Sequence, residues 1–301
     1  MNLAGIFAPL TTPFAPDGQI APDRLRANIE RYNRTRLSGF ALNGSTGESV
    51  LLRWEEIYRL WETGKFAAAP GKILIAGTGA ESTAETIEHT HRAADLGYHA
   101  ALVRTPSFYK PAISDDLLAT HFLRVADAAR IPVLIYSVPI FTHVTVEAPL
   151  VARLASHPNI VGMKDSSGDV RAVTDIIAAA PKSFRMLAGH PATLHDSLQA
   201  GAAGAILAVA CAFPELCCEI YEASRAGDAA RSHSLAQRLQ SPSKLFGQKF
   251  GIPGLKFALD RLGYFGGLPR PPLLPVGKAA QLEIEEMLPG VLAATGAAAN
   301  P

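Results

Sequence analysis

The first 226 residues alternate between short apolar segments and longer segments of helical periodicity, and this alternation constrains the fold most strongly. The apolar segments are 6–11, 39–43, 72–77, 100–105, 133–137, 160–164, 184–188 and 205–209. They are apolar throughout rather than at every second position, which is typical of parallel strands covered by helices on both faces. Eight such units predict closure into a (β/α)8 TIM barrel, an α/β fold.

An open, doubly wound sheet is the alternative to a closed barrel. Such a sheet usually carries a glycine-rich dinucleotide-binding turn after its first strand. The corresponding segment here reads Thr11-Thr12-Pro13-Phe14 and contains no glycine. The sequence therefore favours the barrel.

The pattern changes after Gly227. Beyond that residue only helical periodicity is present, near 229–239, 254–262 and 278–287. We expect residues 1–227 to form the catalytic barrel. Residues 228–301 would form a C-terminal helical extension packed on the barrel.

Composition favours a compact enzyme and disfavours several other classes of protein. Hydrophobic residues make up 48% of the chain and charged residues 18%, which is enough apolar material for a large core. The net charge is +1 without a long basic run, so we expect neither nucleic acid nor an anionic membrane as a partner. No apolar run approaches the roughly 20 residues that a membrane span needs.

The cysteines and the N-terminus bear on the location of the protein. Cys211, Cys217 and Cys218 are odd in number and form no Cys-x-x-Cys pair, which excludes a disulfide framework and disfavours zinc. We interpret them as small, buried apolar residues. The N-terminal residues lack the basic and long apolar regions of a signal peptide. A reducing, cytoplasmic setting is the expectation.

Candidate active-site residues follow from the predicted barrel, because active sites of this fold lie at the carboxyl ends of the strands. The residues at these ends are Gly44-Ser45-Thr46-Gly47-Glu48 after the second strand, Arg104 in the fourth, Tyr136 in the fifth, Lys164 in the sixth, and Gly189 with His190 after the seventh. Glu48 and Asp165 are the main carboxylates there. A metal site needs several convergent carboxylates or histidines, so we expect no metal.

Lys164 suggests a particular chemistry. Ile160, Gly162 and Lys164 share one face of the predicted sixth strand, which would place the lysine at the rim of the barrel interior. In an apolar pocket the charge of a lysine is poorly stabilised, and a neutral amine attacks carbonyl carbons. The alternative is a solvated loop lysine, which is the commoner environment for a lysine that follows a strand.

A tyrosine and a glycine-rich turn would complete such a site. When Lys164 attacks a ketone, water leaves, and the resulting iminium accepts electrons as an adjacent C–C bond breaks or forms. Tyr136 is suited to shuttle protons, and residues 44–48 offer backbone N–H groups and two hydroxyls to a carboxylate such as that of pyruvate. Each signal is weak alone, because such a turn is more often a tight loop and Tyr136 is equally suited to the core. Their coincidence at predicted strand ends is the stronger indication.

Three motifs, in this order and spacing, resemble the dihydrodipicolinate synthase / N-acetylneuraminate lyase superfamily. They are Gly44-Ser45-Thr46-Gly47-Glu48, Tyr136-Ser137-Val138-Pro139 and Gly162-Met163-Lys164-Asp165, and the resemblance covers nearly the whole chain. It implies a (β/α)8 barrel that forms a homotetramer from two tight dimers, with pyruvate or another 2-oxo acid as the small-molecule partner. It also implies a covalent lysine–substrate imine and no other cofactor.

The resemblance implies roles for individual residues. Lys164 would form the Schiff base, and Tyr136 would relay protons. The residues implied for substrate binding are Ser45 and Thr46, which would hold the carboxylate of the pyruvoyl unit, together with Gly44, Gly189 and Ile206.

The family also has an aromatic pair in the loop after the fourth strand, and one member of the pair reaches into the site of the neighbouring subunit. The loop here contains Phe108 and Tyr109, and its length differs from the synthase pattern. Because Tyr109 keeps a hydroxyl, we predict that Tyr109 is the catalytic member and that Phe108 packs at the interface.

Substrate specificity is where the sequence departs from true dihydrodipicolinate synthases. Those enzymes resemble the segment Pro139-Ile140-Phe141-Thr142 but carry a carboxylate-binding arginine where Phe141 stands. The segments 157–166 and 250–256 are similar instead to the 4-hydroxy-2-oxoglutarate aldolase branch. The second carboxylate of such a substrate needs a donor, for which Arg104 and Lys110 are candidates. The alternative for Arg104 is an ion pair with Glu48 or with a loop carboxylate.

We therefore predict a Schiff-base-forming, pyruvate-dependent aldolase or lyase, with 4-hydroxy-2-oxoglutarate as the favoured substrate. The alternatives are a 4-hydroxy-tetrahydrodipicolinate (dihydrodipicolinate) synthase and a 2-keto-3-deoxy sugar acid aldolase or dehydratase. An alternative of another class is a barrel that binds 2-oxo acids without catalysis. The presence of Lys164, Tyr136 and the Ser45-Thr46 pair disfavours that last alternative.

Overall fold

Eight parallel strands close into a barrel in the computed structural model, which describes residues 3–292. The strands are hydrogen-bonded in chain order, and the first also pairs with the eighth. They are β1 (Gly5–Pro9), β2 (Gly39–Leu42), β3 (Ile73–Gly77), β4 (Ala100–Arg104), β5 (Val133–Ser137), β6 (Ile160–Asp165), β7 (Arg185–Ala188) and β8 (Gly204–Ile206). The predicted (β/α)8 barrel is confirmed. Residues 293–301, at the end of the predicted extension, lie outside the described residues.

Helices alternate with the strands and cover the outside of the barrel. Those of the barrel are α1 (Pro22–Tyr32), α2 (Trp54–Ala67), α3 (Thr83–Asp95), α4 (Asp115–Ala128), α5 (Pro139–Thr142), α6 (Ala148–Leu154), α7 (Val170–Ala179), α8 (Leu194–Gln199) and α9 (Pro214–Arg225). After them come α10 (Ala229–Gln237), α11 (Gln240–Ser243), a π-helix (Lys244–Lys249), α12 (Gly251–Arg261) and α13 (Lys278–Leu292). Within residues 3–292, no helix is long and apolar enough to cross a membrane.

Short polar side chains cap three of the barrel helices. The side chains of Ser82, Ser114 and Asp169 accept hydrogen bonds from backbone amides in the first turns of α3, α4 and α7. Each cap satisfies a donor that has no partner within its helix and contributes about 1 kcal/mol. These caps fix where each strand-to-helix connection ends.

The interior of the barrel is filled by alternate side chains of the strands, because successive residues of a strand point to opposite faces. An interior cluster contains Phe7, Ala41, Ile75, Leu102, Leu134, Tyr136, Leu187 and Ile206, all of them buried. The register places Arg104 beside Tyr136 and Tyr136 beside Lys164. These three polar side chains therefore share one level at the carboxyl end of the barrel.

Some predicted segments end earlier in the structure. The first strand was expected over 6–11 but ends at Pro9, and the eighth was expected over 205–209 but ends at Ile206. After β8 the chain forms a 3-10 turn over Ala208–Cys211, which brings the Cys211 thiol to donate to the Pro9 carbonyl. The first helix, expected over 22–36, ends at Tyr32, and the Asn33 side chain that follows bonds to backbone groups of Ala67 and Ala69.

The C-terminal helices pack against the barrel through an apolar face. Leu255, Leu259 and Ile284 are fully buried in the same hydrophobic cluster as residues of β1. Burying a leucine or isoleucine side chain in this way contributes about 1.5–3 kcal/mol. The Tyr264 ring, which follows α12, stacks on the Tyr32 ring of α1 at 4.5 Å. The last helices are therefore anchored to the first part of the barrel.

Candidate active site

Lys164 is buried at the carboxyl end of the barrel interior. The residue is 5% exposed, and its Nζ lies 4.2 Å from the centroid of the Tyr136 ring. Nζ forms no hydrogen bond or ion pair with another residue between positions 3 and 292. The amine is thus shielded from bulk water, and no residue of the described chain accepts a hydrogen bond from it. The alternative of a solvated loop lysine is wrong.

Asp165, the carboxylate next to Lys164 in sequence, is not its partner. Strand alternation turns the two side chains to opposite faces of β6. The Asp165 carboxylate accepts from the Ser167 amide at 3.0 Å and from the Ser167 hydroxyl. Burial raises the pKa of the Asp165 carboxyl above its ordinary value, although hydrogen bonds from Ser167 and Ser137 oppose that shift. Asp165 therefore holds the loop after β6 rather than the lysine.

Tyr136 connects the lysine to the turn after β2. It is 5% exposed, and its hydroxyl lies 3.3 Å from the Ser45 hydroxyl. Either oxygen can be the donor, so a proton can move between them along this contact. Three of the predicted residues, Lys164, Tyr136 and Ser45, therefore lie together.

The 44–48 turn (Gly44, Ser45, Thr46, Gly47 and Glu48) is bent and tightly held. Its neighbour Asn43 and its last residue Glu48 both have positive φ, 60° and 59°, which non-glycine residues rarely adopt. Such strain persists where the surroundings enforce it, and it concentrates at functional sites.

The amides of Ser45 and Thr46 donate no hydrogen bond to another described residue. A Cβ atom on Gly44 would meet no atom within 4 Å, so open space adjoins the turn. These two amides are available to an anion in that space.

Gly189 lies against Lys164. A Cβ on this glycine would lie 3.0 Å from Lys164 Cε, 2.7 Å from the Asp165 carbonyl oxygen and 2.1 Å from Ser166 Oγ. No larger residue fits without displacing the backbone. The absence of a side chain here leaves the lysine its room.

His190 follows and is half-buried. Its Nδ1 is buried without a hydrogen-bond partner in the described chain. Burial lowers the pKa of His190 from its ordinary value, against the pull of Asp165. The imidazole is therefore uncharged at neutral pH.

Arg104 is paired with a loop carboxylate. Its Nη1 lies 2.6 Å from Oε1 of Glu81, in the loop between β3 and α3. Glu81 also accepts from the amides of Ser107 and Phe108, at 2.8 and 2.9 Å. Burial opposes ionisation of Glu81, but these amide bonds and Arg104 together hold its pKa below the ordinary value. An ion pair between Arg104 and Glu48 is ruled out, because the Glu48 carboxylate faces the C-terminal helices.

The predicted aromatic residues of the loops lie on the surface. Phe108 and Tyr109 are each 76% exposed and pack edge to face on one another, and Phe141 is 61% exposed. Within this chain Tyr109 does not join the cluster around Lys164. It lines a groove of about 460 Å³ beside α4, and Lys164 is not among the residues that line this groove. Ile206, in contrast, is fully buried in the interior cluster that contains Tyr136.

Two charged residues at the site were not among the predicted ones. Lys256 of α12 is fully buried and lies 2.7 Å from Glu48, and Glu81 fixes Arg104. A lysine inside the apolar segment 250–259 is a signal for a buried ion pair. Its partner is 208 positions away, and nothing in the sequence identifies that partner.

Residues 3–292 offer neither a cluster of metal ligands nor a reactive thiol. No group of three or more His, Cys, Asp and Glu side chains is placed to hold a metal ion there. The three cysteines are buried and carry free thiols. Burial raises the pKa of Cys211 to about 12, so this thiol is not a nucleophile at neutral pH.

A closed parallel barrel with a buried lysine, a tyrosine and a hydroxyl-bearing turn at its carboxyl rim defines a class of barrel enzyme. Comparison with known proteins identifies the family within that class. The sequence model of the Dihydrodipicolinate synthetase family matches residues 2–290. The chain belongs to this family of lyase-type enzymes, which confirms the resemblance drawn from the three motifs.

Individual relatives cover almost the full length. The 4-hydroxy-tetrahydrodipicolinate synthase of Methanothrix thermoacetophila is 35% identical over 294 residues, 97% of this chain and 98% of the relative. That of Xanthomonas axonopodis is 35% identical over 281 residues, 93% and 92% of the two chains. Among solved structures, the chloride-inhibited dihydrodipicolinate synthase of Acinetobacter baumannii complexed with pyruvate superposes with a TM-score of 0.91. It is 29% identical, and the match covers 96% of this chain and 99% of that one.

Proposed function

We propose that this protein is a pyruvate-dependent aldolase or synthase that works through an imine on Lys164. The observation that carries the proposal is the buried Lys164 amine, 4.2 Å from the Tyr136 ring centroid, with the Tyr136 hydroxyl 3.3 Å from Ser45. A desolvated amine without an anionic partner is the arrangement that carbonyl attack requires. The pyruvate complex of the Acinetobacter relative supports pyruvate as the 2-oxo acid.

The first step joins the lysine to the substrate. The Lys164 nitrogen attacks C2 of the 2-oxo acid. The carbonyl oxygen takes one proton from that nitrogen and one from the Tyr136 hydroxyl and leaves as water, and an iminium remains. Ser45, Thr46 and their two unengaged amides would hold the carboxylate beside it. Gly44 and Gly189 leave room for the substrate, and Ile206 contributes to the apolar interior.

The second step breaks or makes a C–C bond. In the cleavage direction, the Tyr136 phenolate left by the first step takes the proton of the C4 hydroxyl, and the C3–C4 bond breaks. The electron pair moves into an enamine, which neutralises the iminium nitrogen, and an aldehyde leaves. C3 then regains a proton, and water at C2 releases pyruvate and frees Lys164. The imine nitrogen is the electron sink, so these steps require no further cofactor.

Two reactions are candidates for the partner of pyruvate. The names of the relatives support 4-hydroxy-tetrahydrodipicolinate synthesis. Cleavage of 4-hydroxy-2-oxoglutarate is the second candidate, and Phe141 favours it, because this exposed residue cannot bind the carboxylate that the synthases hold at this position. Arg104 is already paired with Glu81, whereas Lys110 forms no ion pair within residues 3–292.

Product assays test the proposal and separate the two candidates. The protein is supplied either with 4-hydroxy-2-oxoglutarate, to detect pyruvate and glyoxylate, or with pyruvate and the four-carbon amino aldehyde that completes 4-hydroxy-tetrahydrodipicolinate. We expect turnover in one of the two assays. Binding of pyruvate without turnover of any 2-oxo acid in a panel of 4-hydroxy and 3-deoxy substrates would support the non-catalytic alternative.

The assembly is part of the same proposal. We propose a homotetramer in which the loop with Phe108 and Tyr109 meets its counterpart in a second copy. The support is the exposure of both rings and the aromatic pair at this position in the resembling family. A cytoplasmic location is consistent with the buried free thiols. Light scattering is expected to give the mass of four chains, and the mass of one chain would contradict this assembly.

A further inference from the structure

The Glu48 carboxylate points away from the substrate space and into the base of the C-terminal helices. Its Oε1 accepts from Lys256 Nζ at 2.7 Å, and its Oε2 accepts from the Arg270 amide at 2.8 Å. The side chain has no solvent exposure. Both carboxylate oxygens are engaged by residues that lie beyond the barrel, while the backbone of Glu48 closes the 44–48 turn.

Lys256 is fully buried and has a complete set of acceptors. Its ammonium donates to Glu48, to the Thr12 carbonyl at 2.9 Å and to the Leu268 carbonyl at 2.8 Å. An ammonium has three N–H groups, so its donor capacity is filled. It also lies 4.5 Å from the centroid of the Phe14 ring. Burial lowers the pKa of Lys256, and the Glu48 charge opposes that shift.

Lys256, Thr12 and the 44–48 turn form a closed circuit of hydrogen bonds. The Thr12 hydroxyl donates to the Gly47 carbonyl at 2.6 Å, while the Thr12 carbonyl accepts from Lys256. The Glu48 carboxylate, at the end of the same turn, accepts from Lys256 and closes the circuit. The turn is therefore held from its backbone and from its last side chain by one ammonium group on α12.

The hydrogen-bond circuit is connected through Ser45 to Tyr136 and Lys164, the groups proposed to react. Ser45 lies three positions before Glu48, and the Glu48 amide donates to the Ser45 carbonyl at 3.1 Å. The Ser45 hydroxyl contacts Tyr136, which packs on Lys164. A displacement of Glu48 would therefore also move Ser45, because a single 3-10 turn joins the two residues.

We propose that Lys256 is a positioning residue that sets the place of the 44–48 turn relative to Lys164, although it touches no substrate. The inference rests on the proposed function, because it concerns the carboxylate site of the same imine chemistry. Lys256 acts on pyruvate binding and leaves the nucleophile itself unchanged, since Lys164 is held by β6. The C-terminal helices are thereby part of the active site.

The test is a pyruvate titration in which the imine is trapped with borohydride and the trapped fraction is read by intact mass. The main variant is Lys256→Met/Glu48→Gln, which removes both buried charges and leaves neither unpaired. We expect the half-saturating pyruvate concentration to rise by about tenfold to 100-fold, because a displacement near 1 Å has that effect on a bound geometry. The trapped fraction at saturating pyruvate is expected to equal that of the unmodified protein.

Controls separate positioning from loss of stability. Lys249→Met breaks the exposed pair of Lys249 with Glu283 in the same extension and is expected to titrate like the unmodified protein. The titration is run well below the melting temperature of each variant, where a purely stabilising role of Lys256 would leave the half-saturating concentration unchanged. If the double variant does not fold, Lys256→Gln/Glu48→Gln replaces it, because its two uncharged amides can hydrogen-bond each other, and a smaller shift in the same direction is expected.

The outcomes for the two proposals are distinguishable. If the imine is trapped in the unmodified protein but the titration of the folded double variant is unshifted, the role of Lys256 is overturned. The proposed function then still stands. No trapping in the unmodified protein overturns both. A shift of the same size in Lys249→Met also contradicts the inference, because that pair has no contact with the 44–48 turn.

Discussion

The two sides of the barrel rim differ in how firmly their side chains are held. On one side Lys164, Tyr136 and most of the 44–48 turn are buried, and the turn is fixed by the ammonium of Lys256. On the other side Phe108, in the loop after β4, and Phe141, in the short helix α5, have 76% and 61% of their surface exposed. The fold itself determines the arrangement around the lysine. Surface loops generally tolerate substitution, so we expect the second substrate to be selected on this side of the rim.

This difference has a physical cause. A side chain on a central strand of a barrel has neighbours on both sides, so moving it disturbs a close-packed interior. A side chain on a loop meets mostly water, and substitution there usually changes stability by less than about 0.5 kcal/mol. One barrel can therefore keep its pyruvate chemistry while the loops vary.

Replacement of the lysine is expected to have the largest effect. Lys164→Met keeps the length and removes the nucleophile, so turnover should fall by at least about 10⁴-fold in the product assay. Lys72→Met is the matched control, because Lys72 is a partly buried lysine bonded to backbone carbonyls just before β3, at the amino end of the barrel. Activity in Lys164→Met within tenfold of the unmodified protein would refute the imine mechanism.

Loss of the tyrosine hydroxyl comes next. Tyr136→Phe removes the proton carrier and its contact with Ser45, and we expect kcat to fall by about 10²–10⁴-fold. Tyr98→Phe removes another buried hydroxyl, which donates to the Trp61 carbonyl, and should leave kcat unchanged. Equal kcat losses in both variants would assign the effect to packing.

A methyl group at Gly189 tests the room around the lysine. In Gly189→Ala the new carbon would approach Lys164 Cε to 3.0 Å and Ser166 Oγ to 2.1 Å, so we expect a loss near 10²-fold in kcat/KM. Gly277→Ala adds the same carbon where no atom lies within 4 Å. An unchanged kcat/KM in Gly189→Ala would show that the groups around Lys164 are less rigid than the structure indicates.

Stability should also fall in acid through His121, a buried histidine of α4 that lines the same groove as Tyr109. Burial, with a contribution from Arg104, lowers the pKa of His121 to about 4 from its ordinary value of 6.5. Between those values the unfolded chain binds a proton that the folded protein does not, so stability falls as the pH drops through this window. We expect His121 to account for about 2 kcal/mol of the stability lost between pH 7 and pH 5, measured by urea unfolding as the difference between the unmodified protein and His121→Gln. An unchanged slope in that variant would remove His121 as the cause.

The exposed aromatic residue should have the smallest effect on the pyruvate half-reaction. Phe141→Ala is expected to change the half-saturating pyruvate concentration by no more than about twofold, while the KM of the second substrate changes. Phe141→Arg alone is expected not to create synthase activity, because the loop with Phe108 and Tyr109 also differs in length. Substantial synthase turnover by the unmodified protein would show that Phe141 has little weight in specificity.

The sequence alone was sufficient for the fold and for much of the candidate site. Eight apolar segments predicted the barrel, and strand spacing placed Lys164 and Tyr136 at one end of it. The structure brings these two residues together with Ser45, as the motifs predicted. Local patterns carry this information, because strand alternation and helix periodicity are properties of neighbouring residues.

The sequence did not identify the hydrogen-bond and ion-pair partners of the charged side chains at the rim. Glu48 was counted among the rim carboxylates, yet its side chain pairs with Lys256, which lies 208 positions away. Asp165 stood next to Lys164 in sequence but points away from it to Ser167. Arg104 was a candidate substrate ligand, and the loop carboxylate that it binds, Glu81, was not identified. The partners of Glu48 and Arg104 lie on segments that the closed barrel brings into contact. Ser167 is only two positions from Asp165, and strand alternation turns the Asp165 side chain towards it.

Trapping of the imine tests the central claim most directly. The protein is incubated with pyruvate, reduced with borohydride, digested and examined by mass spectrometry. We expect one pyruvate-derived adduct per chain, on the peptide that contains Lys164, and no adduct in Lys164→Met. An unmodified chain after reduction, or an adduct on a different lysine, would contradict the imine mechanism on which the proposed function rests.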